Sequence, residues 1–208
     1  MIRNIVFDMG QVLIRFDQKY FIHRLGIDDP ADEKLLMTQV FLSAEWVSMD
    51  WGDIAEDEAA RRICTRLPER LHDAARKLIS MWDRPILLID GMYELVDELK
   101  QAGYGIYLLS NASVRQREYW PRVPCHKFFD GTLISSDIGS VKPERRIYTT
   151  LTERFGLAPE ECFLVDDSPL NVVGALRCGW SGAIFRGDAA QLRAEMRRAG
   201  IRVGGETA

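Results

Sequence analysis

This sequence of 208 residues lacks several features that mark other classes of protein. Its four cysteines form no CxxC pair, so there is no signal for a zinc site or a disulfide framework. No apolar run approaches the roughly 20 residues that a membrane-spanning helix needs. Residues 1–7 enter an apolar stretch at once, without the regions of a signal peptide. We therefore expect a protein with reduced thiols in the cytoplasm.

The sequence also lacks an excess of positive charge. Its formal net charge is -4 and its pI is about 5.5, which gives no basic field for a nucleic-acid backbone or an anionic membrane surface. No GxGxxG motif follows the first apolar stretch, and this argues against a dinucleotide-binding domain. We expect a small molecule as the partner, with no nucleic acid and no membrane, and a chain that is a monomer or a homodimer.

What the chain does contain is enough apolar material for a hydrophobic core. Hydrophobic residues make up 47% and charged residues 28% of the sequence, close to the average for globular proteins. A chain of 208 residues is longer than a typical domain and shorter than two. We expect one core domain that carries a sizeable insertion.

Short apolar runs alternate with helical patterns along much of the chain. The runs end in small or acidic residues, as buried parallel strands do, and they cover 5–7, 106–109, 132–135, 163–165 and 183–185. The helical patterns end at Gly or Pro and cover 93–101, 114–120, 144–155 and 170–177. This alternation predicts an α/β fold with a doubly wound parallel sheet. Ligands of such sheets bind beyond the carboxyl ends of the strands, where the strand order reverses.

Residues 17–85 break the alternation, because they show apolar residues at helical spacing and no convincing strand. We predict a helical cap domain over 17–85, inserted after the first strand, and a core domain formed by 1–16 and 86–208. A cap at this place can close over the edge of the sheet and exclude water. The aromatic residues Tyr20, Trp46 and Trp51 are expected to pack inside the cap, although they could also line a specificity pocket.

Polar side chains stand at predicted strand ends or in the loops beyond them. They are Asp8, Ser110, Asn111, Lys142, Asp166 and Asp167. Each alone is as typical of a turn, a helix cap or a solvated surface. Their joint order along the chain is what points to chemistry.

Transfer of a phosphoryl group needs a nucleophile, a metal that neutralises the approaching anion, and donors to the phosphoryl oxygens. Asp8 and the Asp166–Asp167 pair offer the hard oxygen ligands that suit Mg²⁺. Lys142 adds positive charge, and the Ser110 hydroxyl and the Asn111 amide can donate to phosphoryl oxygens. A Mg²⁺-dependent enzyme that acts on a phosphorylated metabolite is the function this set favours.

Two prolines predict how the neighbouring residues are held. Pro143 disfavours the helical conformation for Lys142 and can be the first residue of the next helix, so that the ammonium lies beside that helix's N-terminus. Ser168 followed by Pro169 is typical of an N-cap and a first-turn proline, which would fix Asp167 at a helix N-terminus.

Four segments resemble, in this order, the motifs of the haloacid dehalogenase-like hydrolase superfamily. They are Phe-Asp-x-Gly-x-Val at 7–12, Leu-Ser-Asn at 109–111, Lys-Pro-Glu at 142–144 and Val-Asp-Asp-Ser-x-x-Asn at 165–171. The match spans nearly the whole chain, and the insertion resembles members with a helical cap after the first strand. Residues 7–10 are similar to the branch that contains bacterial glucose-1-phosphate phosphatases.

This resemblance implies a phosphatase that hydrolyses a small phosphate ester, such as a sugar phosphate, through an aspartyl-phosphate on Asp8. Ser110 and Lys142 would then hold the phosphoryl group. Asp167 and the carbonyl of Gly10 would bind Mg²⁺. The resemblance further makes Asp166 a second carboxylate of the metal site and Asn171 a supporting residue of the last motif.

One position departs from the pattern of the superfamily's phosphatases. They usually carry a second Asp two residues after the nucleophile, as acid for the leaving group and base for water, and here that residue is Gly10. Loss of such a group typically costs about 10² to 10⁴ in rate. The enzyme would therefore favour leaving groups that depart easily, or take the proton from solvent or from the cap, with Asp17 and His23 as candidates.

Other functions remain open from the residues. A metal-independent haloacid dehalogenase would also use Asp8, but the Asp166–Asp167 pair would repel an anionic haloacid. A phospho-receiver module carries its acidic pair near the first strand, whereas this chain carries it near the last ones. A catalytically weak phosphate-binding relative is the third alternative, and Gly10 makes it more plausible.

Overall fold

The structure is a computed structural model that describes residues 1–204. Its strands are Asn4–Phe7 (β1), Ile14–Arg15 (β2), Leu87–Leu88 (β3), Gly105–Ser110 (β4), Gly131–Ile134 (β5), Cys162–Asp166 (β6) and Ser181–Ile184 (β7). Its α-helices are Gln18–His23 (α1), Pro30–Leu36 (α2), Ala44–Trp51 (α3), Glu56–Cys64 (α4), His72–Met81 (α5), Met92–Gln101 (α6), Gln116–Tyr119 (α7), Arg145–Phe155 (α8), Pro169–Leu176 (α9) and Ala189–Arg198 (α10).

Five of the strands form one parallel sheet in the order β5-β4-β1-β6-β7. The chain builds outward from β1 to one side with β4 and β5, and then to the other side with β6 and β7. The order therefore reverses beside β1, at the carboxyl end of which Asp8 stands. The predicted α/β fold with a doubly wound parallel sheet is confirmed.

Two layers of helices cover the sheet, and each layer shares a buried core with it. On one face β1 contributes Ile5 and Phe7, and on the other it contributes Val6, all fully buried. Because a strand's successive side chains point to opposite faces, a run that is apolar throughout fits a sheet covered on both sides.

The segment between β2 and β3 is helical, as expected of a cap after the first strand. β2 and β3 pair antiparallel, so the chain leaves the core and returns to it side by side. Helices α1–α5 enclose a separate apolar core that includes Ile22, Leu36, Ile63 and Leu78. The division into 1–16 with 86–208 and 17–85 remains our domain prediction.

Two local predictions were wrong. The pattern over 114–120 predicts one helix, but α7 covers only four residues and continues as a 3₁₀ turn over Trp120–Arg122, in which Pro121 cannot donate to an α-helical hydrogen bond. Pro143 does not begin a helix either. Glu144 donates its N–H to Val141 in a turn and takes the N-cap position, and α8 begins at Arg145.

Over residues 1–204, the helices are all too short or too polar to traverse a bilayer.

Candidate active site

The carboxyl ends of three adjacent strands bring the central polar residues together. Asp8 directly follows β1, and its N–H extends the ladder by donating to the carbonyl of Val165 at 2.8 Å. Ser110 is the last residue of β4 and Asp166 the last of β6. Strands β4 and β6 flank β1 on either side, so the sheet itself sets the spacing of these three side chains.

A cavity of about 260 Å³ opens between this edge of the sheet and the helical segment. The residues of the four motifs that line it are Asp8, Gly10, Ser110, Asn111, Lys142, Asp167 and Asn171. Asp166 lies behind them and is fully buried. Every residue predicted as the nucleophile, a phosphoryl donor or a metal ligand therefore lies at or directly behind one cavity.

Lys142 is the centre of the charge network. Its Nζ lies 2.9 Å from Asp8 Oδ1 and 2.6 Å from Asp166 Oδ2, and it donates to the carbonyl of Leu109 at 2.8 Å. The residue is only 4% exposed. Burial alone would lower the pKa of Lys142, but the two carboxylates together raise it, so the ammonium stays charged.

Asn111 fixes the backbone of Lys142. Its Oδ1 accepts from the Lys142 N–H at 2.7 Å, and its Nδ2 donates to the Lys142 carbonyl at 3.1 Å. As Pro143 predicts, Lys142 lies outside the helix, in the turn before α8, and this clamp holds it there. The amide of Asn111, which we expected to serve phosphoryl oxygens, makes both of these bonds to the backbone.

Burial raises the pKa of Asp8 to about 7, against the lowering effect of Lys142, and the negative charge of Asp166 adds to the rise. The pKa of Asp167 is also raised, by burial first and by Asp166 second. A single buried lysine thus does not neutralise the three carboxylates. An additional positive charge would stabilise their ionised forms.

Asp166 organises the start of α9. Its Oδ1 accepts from the N–H of Ser168 and from Nδ2 of Asn171, both at 2.9 Å. Ser168 holds the N-cap position and Pro169 follows it, as predicted, but the Ser168 side chain makes no capping bond. The carboxylate of Asp166 therefore holds the N-cap residue through its backbone and the first turn of α9 through the side chain of Asn171.

The residues present fit a divalent cation. Asp8, Asp166 and Asp167 each place a carboxylate oxygen within 4.8 Å of the others. Asp166 already accepts three bonds through its two oxygens, whereas Asp167 is exposed to the cavity. The hard oxygens of Asp8 and Asp167, with the adjacent backbone of Gly10, are the donor types that Mg²⁺ prefers.

The helical segment supplies the opposite wall, and sequence reasoning largely missed it. Phe16, Trp46, Asp50 and Trp82 line the cavity, and Tyr119 of α7 completes this wall. Trp46 also packs against Phe16 and Phe41 in the cap core, as expected, and its role in specificity stays a prediction. No pattern in the sequence marked Asp50, because only the packing of α3 on the core brings it there.

The two candidates for a replacement acid are placed elsewhere. Asp17 accepts from the N–H of Tyr20 as the N-cap of α1, and His23 shares a hydrogen bond of 2.8 Å with Glu33. Neither lines the cavity. Asp17 instead lines a neighbouring cavity that shares Asp167 with this one, and a role as the acid stays a prediction for both residues.

Comparison with known proteins shows that this chain is of the hydrolase class. The family model of the haloacid dehalogenase-like hydrolases matches residues 2–179. The chain belongs to this family, and the predicted family and enzyme class are confirmed.

Named relatives have modest identity. Flavin mononucleotide hydrolase 1 of Arabidopsis thaliana is 26% identical over 162 residues, which cover 76% of this chain and 63% of that protein. The chain thus spans less than two thirds of that relative. D-ribitol-5-phosphate phosphatase of Bacteroides thetaiotaomicron is 25% identical, with 83% of this chain and 86% of that protein covered.

Solved structures show the same fold. A HAD family enzyme of Bacteroides thetaiotaomicron, in complex with magnesium and inorganic phosphate, superposes with a TM-score of 0.67 at 23% identity. The superposition covers 92% of this chain and 99% of that one.

Proposed function

We propose that this protein is a Mg²⁺-dependent phosphatase that hydrolyses a small phosphate ester through an aspartyl-phosphate intermediate on Asp8. The observation that carries the proposal is the contact of Lys142 with Asp8 and Asp166 beside the free carboxylate of Asp167. An anion can approach a carboxylate nucleophile only where positive charge offsets the repulsion between them. The named phosphatases among the relatives and the magnesium and phosphate of the similar structure support the same chemistry.

Each side chain has a role in this scheme. An Asp8 oxygen attacks phosphorus as the bond to the leaving-group oxygen breaks. Lys142 neutralises charge on the phosphoryl oxygens, and the Ser110 hydroxyl donates to one of them. Asp8, Asp167 and the Gly10 carbonyl would hold Mg²⁺, which supplies further neutralisation of the phosphoryl charge. We assign Asp166 to the orientation of Lys142 and α9, with its metal contact as the lesser role.

The cavity favours a small substrate. A volume of about 260 Å³ lies below the roughly 300–1,000 Å³ of typical ligand pockets. Its apolar wall of Phe16, Trp46, Trp82 and Tyr119 offers aromatic faces to a sugar or a similar small group. A phosphorylated metabolite of the size of a sugar phosphate fits these limits.

Two alternatives make different demands. A haloacid dehalogenase needs no metal, yet here Asp167 would face its anionic substrate without a counter-charge. A weak phosphate-binding relative would bind phosphate without turnover.

A panel of phosphate esters, assayed with Mg²⁺ and with EDTA, tests the proposal. We expect phosphate release from the wild-type protein only with Mg²⁺. Asp8→Asn should lose it, while Asp28→Asn, at an exposed position outside the cavity, should keep it. Chloride release from haloacids in EDTA would support the dehalogenase instead, and bound phosphate without hydrolysis would support the weak relative.

A further inference from the structure

Asp50 reaches the cavity from the helical side, across from Asp8. It belongs to the last turn of α3 and is partly buried. Asp8, Lys142, Asp167 and Tyr119 line the same cavity.

The end of α3 is fixed on the core by two contacts. The Ser135 hydroxyl, at the end of β5, donates to the backbone carbonyl of Asp50. Gly52 follows with φ +81°, and a Cβ at that position would lie 2.6 Å from the carbonyl oxygen of Ser136. The backbone on both sides of the Asp50 side chain is therefore held against the loop beyond the sheet.

The carboxyl group itself has no structural partner. Within residues 1–204, no hydrogen bond or ion pair joins it to another group. A partly buried carboxylate without a partner is disfavoured, and the C-terminal end of a helix disfavours negative charge further. Burial, followed by the charge of Asp8, raises the pKa of Asp50 to about 7. Such a group is easily protonated and free to act on whatever enters the cavity.

The proposed reaction needs an acid and a base, and the carboxyl group of Asp50 can serve as both. Gly10 provides no side chain where an acid-base residue is expected, and no atom lies within 4 Å of the place of its missing Cβ. The leaving-group oxygen must still gain a proton, and the water that attacks the phosphoenzyme must lose one.

We propose that Asp50 is the catalytic acid and base of this enzyme, supplied by the helical segment in place of a residue at position 10. This inference rests on the proposed phosphatase function. In the first step an Asp8 oxygen bonds to phosphorus, the ester P–O bond breaks, and the Asp50 proton moves to the leaving oxygen. In the second step water bonds to phosphorus, the bond from Asp8 to phosphorus breaks, and a proton of the water moves to Asp50. The sum is one ester and one water converted to alcohol and phosphate.

Asp50→Asn tests the assignment, with Asp53→Asn as the matched control. Asp53 lies three residues further on, is exposed and does not line the cavity. In single turnovers with Mg²⁺, Asp50→Asn should cleave an alkyl phosphate about 10² to 10⁴ times more slowly than the wild type. Release of p-nitrophenol from p-nitrophenyl phosphate should slow far less, because that leaving group needs no proton. With p-nitrophenyl phosphate in excess, the variant should release a burst of one equivalent of p-nitrophenol. Phosphoenzyme should then accumulate, because the base for the second step is gone.

Rescue separates a catalytic role from a folding defect. The open space at Gly10 accepts a side chain, so Gly10→Asp in the Asp50→Asn background should restore cleavage of the alkyl phosphate. Equal activity of Asp50→Asn and Asp53→Asn on alkyl phosphates, beside an active wild type, would overturn the inference and leave the phosphatase standing. So would an equal loss on both substrates with no phosphoenzyme and no rescue. A wild type that hydrolyses no ester with Mg²⁺ would overturn the phosphatase itself, and the role of Asp50 with it.

Discussion

Replacement of Lys142 by methionine is the sharpest test of how the charge network holds the site. Methionine keeps much of the length of the side chain but removes the ammonium, which contacts Asp8, Asp166 and the carbonyl of Leu109. Removing one partner of a buried ion pair typically costs about 3–5 kcal/mol, because the other is left uncompensated. We expect the upper part of this range, since Lys142→Met strands two carboxylates. The free energy of unfolding of a native protein is usually about 5–15 kcal/mol, so the variant should fold but with little stability left.

The loss of stability in Lys142→Met should be larger at high pH than at low pH. In the metal-free wild type the pKa of Asp8 is raised from 3.8 to about 7, so the folded state holds this proton more tightly than the unfolded state. The associated stability is therefore present at acidic pH and declines as pH rises through 7, by at most about 1.4 kcal/mol per unit. Lys142 lowers the pKa of Asp8, so its removal moves the decline beyond pH 7. The variant should lose about 1–2 kcal/mol more at pH 8 than at pH 6, relative to the wild type.

Urea unfolding in EDTA, followed by tryptophan fluorescence at both pH values, measures this difference. Lys34→Met, at an exposed position on α2, serves as the control and should stay within about 0.5 kcal/mol of the wild type. A Lys142→Met variant as stable as the wild type, or destabilised equally at pH 6 and pH 8, would refute the electrostatic reasoning.

Three further predictions follow from the structure. Asp83 is fully buried between two arginine partners, so Asp83→Ala should lower the free energy of urea unfolding by about 3–5 kcal/mol, while the exposed ion-pair variant Asp73→Ala should change it by less than about 1 kcal/mol. Gly52→Ala should reduce kcat with alkyl phosphates, because its Cβ would meet the Ser136 carbonyl and displace the end of α3; an unchanged kcat would contradict this contact. Mg²⁺ at 100 times its Kd should stabilise the protein by about 2.7 kcal/mol in thermal unfolding, and Asp167→Asn should remove most of this gain if Asp167 holds the ion.

Much of the site could be predicted from the sequence because parallel strands share a direction. Once 5–7, 106–109 and 163–165 are recognised as such strands, their carboxyl ends must meet at one edge, and the residues that follow them must lie near each other. The apolar runs are short and uninterrupted, and this pattern alone predicts buried strands. Convergence of Asp8, Ser110 and Asp166 is in this sense a consequence of topology.

What the sequence did not reveal depends on contacts between distant segments. Asp166 accepts from the Ser168 N–H and from the side chain of Asn171, and these contacts fix the start of α9 although the Ser168 side chain makes no capping bond. Pro143 predicts that Lys142 lies outside the helix, but the contact that holds it there comes from the side chain of Asn111, 31 residues earlier. Neither set of contacts leaves a trace in local periodicity.

The position of Asp50 at the cavity also depends on contacts between distant segments, and it matters more for function. The sheet edge supplies the groups that every phosphate ester needs, while the helical segment supplies the aromatic wall and Asp50. If the proton comes from the segment, then binding of the substrate and protonation of its leaving group depend on the same surface. A change in the docking of α3 should then alter which leaving groups depart, without altering the attack by Asp8. A conventional acid at position 10, attached to the nucleophile's own loop, would keep those two properties separate.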